Sequence, residues 1–289
     1  MKILSAQNWD DYQLIDSGDG RRLEKFGKYT LDRPDPEALW KPSLPDTDWT
    51  KAEAVFIKSK TDRGTWTKYK NIPEKWEMKY KRLKFWVKLT PFKHTGVFPE
   101  QSVQWDWIIE NIKAANRPIS VLNLFAYSGI SSLAAATAGA VVTHVDSSKP
   151  SVTWARENRD LSALPESSIR WIVDDAVKFT AREIRRGKTY DGIILDPPVY
   201  GHGPNGEVWD FTSHIDGLLE NCRQLLSKTP LFVLFNAYAV SHSSLSLKNI
   251  LEDKMKDYSG TVDCGELTLI EESRKRELST GIFARWKKV

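Results

Sequence analysis

Cysteine is scarce in this chain: two in 289 residues, Cys222 and Cys264, far apart in sequence. That scarcity excludes a disulfide scaffold and a four-ligand zinc site, and the natural expectation is a reducing cytoplasm. Long apolar runs are missing too. No stretch approaches the length of about 18 apolar residues that a membrane-spanning helix needs. The opening MKILSAQNWDDYQ has no apolar core segment, so no secretory signal is expected there. The five histidines, His94, His144, His202, His214 and His242, keep no ligand spacing with cysteine or acids, and no metal site is expected. No nucleophile-elbow motif supports a Ser-His-Asp triad. Internal repeats and low-complexity tracts are also absent.

What is present suffices for a folded globular protein. A hydrophobic content of 40% can build a real core, and 289 residues accommodate two domains. The net charge of +4 is mild but unevenly spread. Between Lys58 and Lys93 stand twelve lysines and arginines against three acids, Asp62, Glu74 and Glu77. Trp66, Tyr69, Trp76, Tyr80, Phe85, Trp86 and Phe92 are interleaved with them. Cations that neutralise phosphates, alternating with rings that stack on bases, are what a single-stranded nucleic-acid surface needs. The same alternation, as in Trp76-Glu77-Met78-Lys79-Tyr80-Lys81, equally describes a small sheet with a basic outer face and an apolar inner one. Both readings can hold for one sheet.

The texture changes near residue 117. Residues 1–93 carry short alternating stretches broken by turn signals at Ser17-Gly18-Asp19-Gly20, Arg33-Pro34-Asp35-Pro36 and Pro42-Ser43-Leu44-Pro45-Asp46, which predicts a small β-rich region. Within a linking segment, 94–117, the spacing of Val103, Trp107, Ile108 and Ile112 predicts a helix. From 118 to 289 apolar runs alternate with helical stretches. Strands are expected at 119–125, 141–145, 169–173, 192–195, 231–235, 261–270 and 282–286, with helices at 131–139, 149–163, 177–186, 215–226 and 247–258. This alternation predicts an α/β domain: a Rossmann-like, doubly wound, mostly parallel sheet of seven strands.

In such sheets the ligand sits beyond the C-terminal ends of the strands. Past the first strand stands Ala126-Tyr127-Ser128-Gly129, past the second Asp146, past the third Asp174-Asp175, past the fourth Asp196-Pro197-Pro198, and past the fifth Asn236-Ala237. Core packing does not explain acids after three successive strands, because each places charge on one rim. The first turn has a single glycine, Gly129, where a dinucleotide fingerprint has three, and no phosphate-binding lysine. A cofactor without phosphates fits better. Asp146 is placed to accept both ribose hydroxyls, and Asp175 with the backbone after it to read an adenine amino edge, so S-adenosylmethionine matches the pattern. Each acid alone also fits a plain helix N-cap. After the fourth strand, Asp196 with two prolines stiffens the backbone and turns carbonyls outward. That array suits the amino group or ring edge of an extruded base, with Pro198 beside it and Tyr200 available for stacking. The bland alternative is a rigid turn. His202 either touches substrate or is simply solvated.

These residues also carry a family resemblance. Val121-Leu122-Asn123-Leu124-Phe125-Ala126-Tyr127-Ser128-Gly129 resembles the first motif of the ribosomal large-subunit methyltransferases that modify 23S rRNA, among them cytosine-5 and guanine-N7 enzymes. Asp146-Ser147-Ser148, Asp174-Asp175-Ala176 and Asp196-Pro197-Pro198 are similar to that family's later motifs, in order. His94-Thr95-Gly96-Val97-Phe98-Pro99-Glu100-Gln101 resembles the segment that precedes the domain and helps close over the cofactor. The run from Gly201 to Trp209 and the ending from Glu266 to Trp286 resemble an uncharacterised branch of S-adenosylmethionine-dependent methyltransferases. The resemblance covers about residues 90–289; residues 1–90 show no match to the PUA domain of the cytosine-5 members. It implies that Phe125, Tyr127 and Gly129 line the methionine half of the cofactor. Asp146 then holds the ribose, Asp175 the adenine and Asp196 the reacting end, with Thr95, Phe98 and Gln101 contributing from the preceding segment. The motif neighbours Ala126, Ser128, Ser147 and Ala176 complete the expected cofactor site.

Two departures shape the expected reaction. Val199 stands where the family's loop has lysine. Cytosine-5 methylation also needs a thiolate nucleophile, which the cytosine-5 relatives supply just after the fifth strand. Here that place reads Phe235-Asn236-Ala237-Tyr238, while Cys222 falls within a helix and Cys264 in a late strand. The expected activity is therefore methyl transfer to nitrogen of an RNA base, with 23S rRNA as the expected partner and Asp196, Pro197 and Asn236 holding the acceptor. A protein or small-molecule acceptor remains an alternative. So does an inactive RNA-binding module with a methyltransferase fold.

Overall fold

The computed structural model describes residues 1–59 and 64–289. Lys60, Asp62 and Arg63 of the basic stretch lie outside the described residues. The chain divides into two compact units that interleave: residues 1–4, 104–266 and 281–289 form one, residues 5–103 and 267–280 the other. The sequence reading, with boundaries at 93 and 117, assigns all of 118–289 to one domain; in the structure residues 267–280 belong to the second unit.

The short first strand is β1 (Lys2–Ala6). The 5–103 unit then runs through β2 (Tyr12–Gly18), β3 (Arg21–Phe26), β4 (Tyr29–Pro34), α1 (Asp46–Trp49), β5 (Ala54–Lys58), β6 (Gly64–Lys68), β7 (Trp76–Tyr80) and β8 (Leu83–Val87). Strands β2 to β6 make a five-stranded sheet in chain order, and β7 and β8 a separate antiparallel pair. The interleaved aromatic residues divide here. Trp76, Met78, Tyr80, Leu83, Phe85 and Val87 are buried on the inner face of the pair, so for Trp76, Tyr80 and Phe85, three of the seven rings, the packing reading holds. Trp9 packs against Tyr80 and Phe85, with ring centroids 5.1 and 6.0 Å apart. Tyr69 and Phe92 are exposed.

The other unit begins along α2 (Ser102–Ala114). It continues through β9 (Ser120–Leu124), α3 (Ile130–Thr137), β10 (Val141–Asp146), α4 (Lys149–Leu161), β11 (Ile169–Val173), α5 (Ala176–Arg185), β12 (Gly192–Leu195), β13 (Tyr200–His202), β14 (Val208–Asp210), α6 (Phe211–Gln224), β15 (Phe232–Ala237), α7 (Ser244–Met255), β16 (Gly260–Ile270) and β17 (Glu277–Lys288). The doubly wound sheet is present, in the order β11-β10-β9-β12-β15-β17-β16-β1. Its first five strands run parallel, and β17 pairs antiparallel with β15. It has eight strands where the sequence pattern suggests seven, because β1 joins at the edge beside β16.

Central strands are covered by helices on both faces, which is why β12 and the first four residues of β15 read as apolar runs and both strands are buried at every position. Leu122, Val145, Phe179, Leu195, Leu219 and Phe235 belong to one apolar cluster, and each such side chain stabilises the fold by about 1.5–3 kcal/mol on burial. Chain order leaves β9 with β10 on one side and β12 on the other, the switch point that opens a crevice at the strands' C-terminal ends. Among the described residues no helix is long and apolar enough to cross a membrane.

Candidate functional site

The parallel register places the rim residues in a row. Val145, Leu124, Leu195 and Phe235 are neighbours across β10, β9, β12 and β15. One residue further on, the same row carries Asp146, Phe125, Asp196 and Asn236. Adjacent strands lie about 4.8 Å apart, so two carboxylates, an aromatic ring and an amide follow one another along one edge of the sheet.

The turn after β9 is built around Asp146. Its carboxylate accepts from the Tyr127 N–H at Oδ2 and from the Ser148 N–H at Oδ1, both at 2.8 Å. Phe125 and Tyr127 adopt left-handed backbone (φ 54° and 47°), a conformation costing about 1–2 kcal/mol for a residue with a Cβ; the two N–H bonds to Asp146 and the bond from Ala126 N–H to the Val145 carbonyl help hold it. Burial pushes the Asp146 carboxyl above its ordinary pKa, while the two N–H groups pull it down. Gly129 serves packing: a Cβ there would lie 2.7 Å from the Ala155 Cβ of α4, and its φ is +82°. Ser148 caps α4 through the Ser151 N–H. Asp175 caps α5, its Oδ1 accepting from the Lys178 N–H at 2.8 Å, so the N-cap reading of that acid is realised. Asp174 pairs with Arg182 and also accepts from the Asp175 N–H at 2.9 Å.

A cleft open to solvent lies at this rim. Of the expected site residues, it is lined by Phe125, Asp146, Ser147, Asp175, Ala176, Pro198 and His202. Asp174, Gly201, Gly203 and Trp209 line it as well, without a role in the sequence reading. Ala126, Tyr127, Ser128, Gly129, Asp196, Pro197, Tyr200 and Asn236 are not among the lining residues: the first four build the turn behind it, and Asp196 and Asn236 stand further along the row. Tyr200 is exposed on β13, its ring 5.3 Å from that of His202. Thr95, Phe98 and Gln101 belong to the other unit.

Residues 200–210, which include the run from Gly201 to Trp209 singled out in the sequence by resemblance alone, form the hairpin β13–β14, pairing Tyr200 with Asp210 and His202 with Val208. Three ties hold it. The Trp209 indole N–H donates to the Pro198 carbonyl at 2.7 Å, which takes that carbonyl out of the array expected for substrate. The Trp209 ring lies 4.9 Å from Phe125. Lys178 pairs with Glu207 at 2.6 Å and holds that carboxyl down to about 2.

Asn236 has a defined orientation. Arg285 donates from Nη1 to Gln104 Oε1 at 3.1 Å, and a guanidinium can only donate, so the Gln104 oxygen faces it. Gln104 Nε2 then donates to Asn236 Oδ1 at 3.3 Å. Asn236 Nδ2 is left as a buried donor with no hydrogen-bond partner among the described residues. Neither Gln104 nor Arg285 stands out in the sequence, since the contacts span 132 and 181 residues.

The donor set suits a nucleoside cofactor without phosphates. Three acids line the cleft and no lysine or arginine does among the described residues, the reverse of what a pyrophosphate requires. Each Asp146 oxygen accepts one N–H and keeps further acceptor capacity for a hydroxyl. Among the described residues no three His, Cys, Asp or Glu side chains form a cation site. Cys222 and Cys264 are free and buried, and burial pushes the Cys222 thiol well up.

Comparison with known proteins agrees with this chemistry. A family model described as S-adenosylmethionine-dependent methyltransferase matches residues 59–243. The crystal structure of the SAM-dependent methyltransferase from Agrobacterium tumefaciens is 42% identical, with a TM-score of 0.96 over 100% of this chain and 94% of that one. Among curated proteins, the ribosomal RNA large subunit methyltransferase K/L of Hahella chejuensis is 33% identical over 148 residues, 50% of this chain and 19% of that protein. The protein of the same name from Pseudoalteromonas atlantica is 27% identical over 246 residues, 78% of this chain and 34% of that protein. The chain thus spans between about a fifth and a third of the length of these two curated relatives.

Proposed function

The chain belongs to the S-adenosylmethionine-dependent methyltransferase family, and on that premise we propose that it methylates a nitrogen of an RNA base, with ribosomal RNA as the substrate class. The observation that carries the reading is the row Asp146, Phe125, Asp196, Asn236 at the C-terminal edge of four neighbouring strands. The cofactor, when bound, supplies a methyl group on a positively charged sulfur, itself an excellent leaving group.

The protein's own task is alignment and the exclusion of water. Asp146 holds the ribose hydroxyls, and Asp175 with the free backbone N–H groups at the start of α5 holds the adenine edge. Phe125, Ala126, Tyr127, Ser128, Gly129, Ser147 and Ala176 shape the rest of the cofactor side. Asp196 and the Pro197 carbonyl accept from the acceptor base, while the Asn236 amide donates to it, so a base edge carrying both an N–H and an acceptor is matched. With the cofactor bound, the acceptor nitrogen would be aligned so that an N–C bond forms as the methyl–sulfur bond breaks, the electron pair leaving on the sulfur as a neutral thioether, and Asp196 or water would take a proton lost from that nitrogen. Gly201, His202 and Gly203 on the hairpin, with Pro198 and Trp209, exclude solvent, and Tyr200 offers a ring for stacking. The names of the curated relatives support RNA as acceptor.

Nitrogen is favoured over cytosine C5 because the covalent route needs a thiolate. Cys222 lies buried on α6 and Cys264 buried on β16, and neither lines the cleft. The test is transfer of labelled methyl from the cofactor into RNA, followed by digestion to nucleosides, with wild type and a Cys222→Ala/Cys264→Ala variant. Both are expected to yield a labelled N-methylated nucleoside. Labelled 5-methylcytidine, or label in protein and none in RNA, would overturn the reading.

A further inference from the structure

The β7–β8 pair carries a feature that packing does not explain. In its antiparallel register Lys79 stands directly opposite Lys84, and Glu77 opposite Trp86. Lys79, Lys84 and Glu77 are exposed on the outer face, and Trp86 is half-buried among them. Like charges facing each other across strands destabilise a sheet, and a two-stranded pair has little stability to spare. Glu77 relieves part of the repulsion, 3.3 Å from Lys84. Between residues 75 and 88 it is the single acid against six cations, Lys75, Lys79, Lys81, Arg82, Lys84 and Lys88. Lys79 and Arg82 have no ion-pair partner among the described residues.

We propose that this outer face is a docking surface for the phosphodiester backbone of RNA, with Lys79, Arg82 and Lys84 meeting phosphates and Trp86 offering its ring to a base. Repelling cations held side by side become favourable when a polyanion lies across them and releases its counterions. The ring decides the kind of polyanion. Trp86 is presented on the same face as the lysines, with the Lys75 ammonium 4.8 Å from its centroid, and a stacking platform set among cations is the device of single-stranded nucleic-acid binding. An acidic peptide has no use for the ring. A lipid surface calls for protruding apolar side chains, and apart from Trp86 the apolar side chains of the pair face inward.

Docking is independent of the methyl-transfer reading and is measured without cofactor, so the two fail separately. The full chain is titrated into a fluorescent single-stranded RNA oligonucleotide at several salt concentrations, followed by anisotropy, alongside a Lys79→Gln/Lys84→Gln variant. The variant is expected to bind about tenfold more weakly at about 0.1 M salt, with a log–log salt slope shallower by about 1.4, two phosphate contacts at about 0.7 each. Its melting temperature should equal or exceed that of wild type, because a repulsive pair has been removed. Trp86→Leu should weaken binding and leave the salt slope unchanged. An unchanged slope and affinity in the double variant would overturn the proposal. So would a fall in its melting temperature matching the loss of binding, or equal binding of poly-glutamate or anionic vesicles.

Discussion

The Asn236 amide owes its direction to an arginine two contacts away. Because Arg285 can only donate, Gln104 must accept from it and donate onward, and the buried NH₂ of Asn236 is left without a partner among the described residues. Gln104→Glu should reverse this: a carboxylate accepts from both neighbours, and the Asn236 amide turns its oxygen outward. Steady-state kinetics are expected to show kcat lower by about ten- to a hundredfold, the worth of one misdirected buried hydrogen bond (about 1–3 kcal/mol), with cofactor affinity unchanged. At Gly129 the prediction concerns stability. An alanine would meet Ala155 at 2.7 Å in a left-handed conformation and should cost about 1–3 kcal/mol, read as a fall of several degrees in thermal denaturation. At this scale the sequence was legible wherever a residue's position after a strand defines its role. Asp146 was readable because acids stand after three successive strands on one rim, whereas Gln104 and Arg285 were not, because side-chain pairing over long separations leaves no local pattern. Asp175 was readable in both its senses, and the structure realises the N-cap.

Among elements, the hairpin β13–β14 went unread because three-residue strands carry no periodicity and glycines mask the pairing. Its function follows from its ties: Trp209 to Pro198, Trp209 to Phe125, and Glu207 to Lys178. Glu207 has a lowered pKa, so its contribution is present above the ordinary glutamate range and is lost as pH falls toward about 2. At neutral pH the tie is intact. Glu207→Gln should loosen the hairpin and raise the cofactor KM by no more than about fivefold, the scale of a solvent-screened ion pair, with kcat little changed. The regular elements were far more legible. Expected strands at 141–145, 169–173 and 192–195 match β10, β11 and β12 to within a residue at either end, because parallel strands are short, mostly apolar runs set off by turns and helices.

For the whole molecule, the alternation of strand and helix specified a parallel sheet, and the acids after its strands specified which edge to inspect. The eighth strand and the assignment of residues 267–280 to the second unit escaped, since both depend on which distant segments associate. The account rests on the edge of that sheet, where Asp146 accepts two backbone N–H groups and still faces the cleft. Isothermal titration of S-adenosylmethionine into wild type and Asp146→Asn, with circular dichroism to verify the fold, tests it most directly. One cofactor per chain should bind the wild type, and the isosteric variant should bind at least about tenfold more weakly, a loss of about 1.4 kcal/mol or more. Equal affinity in the two folded proteins would contradict the account.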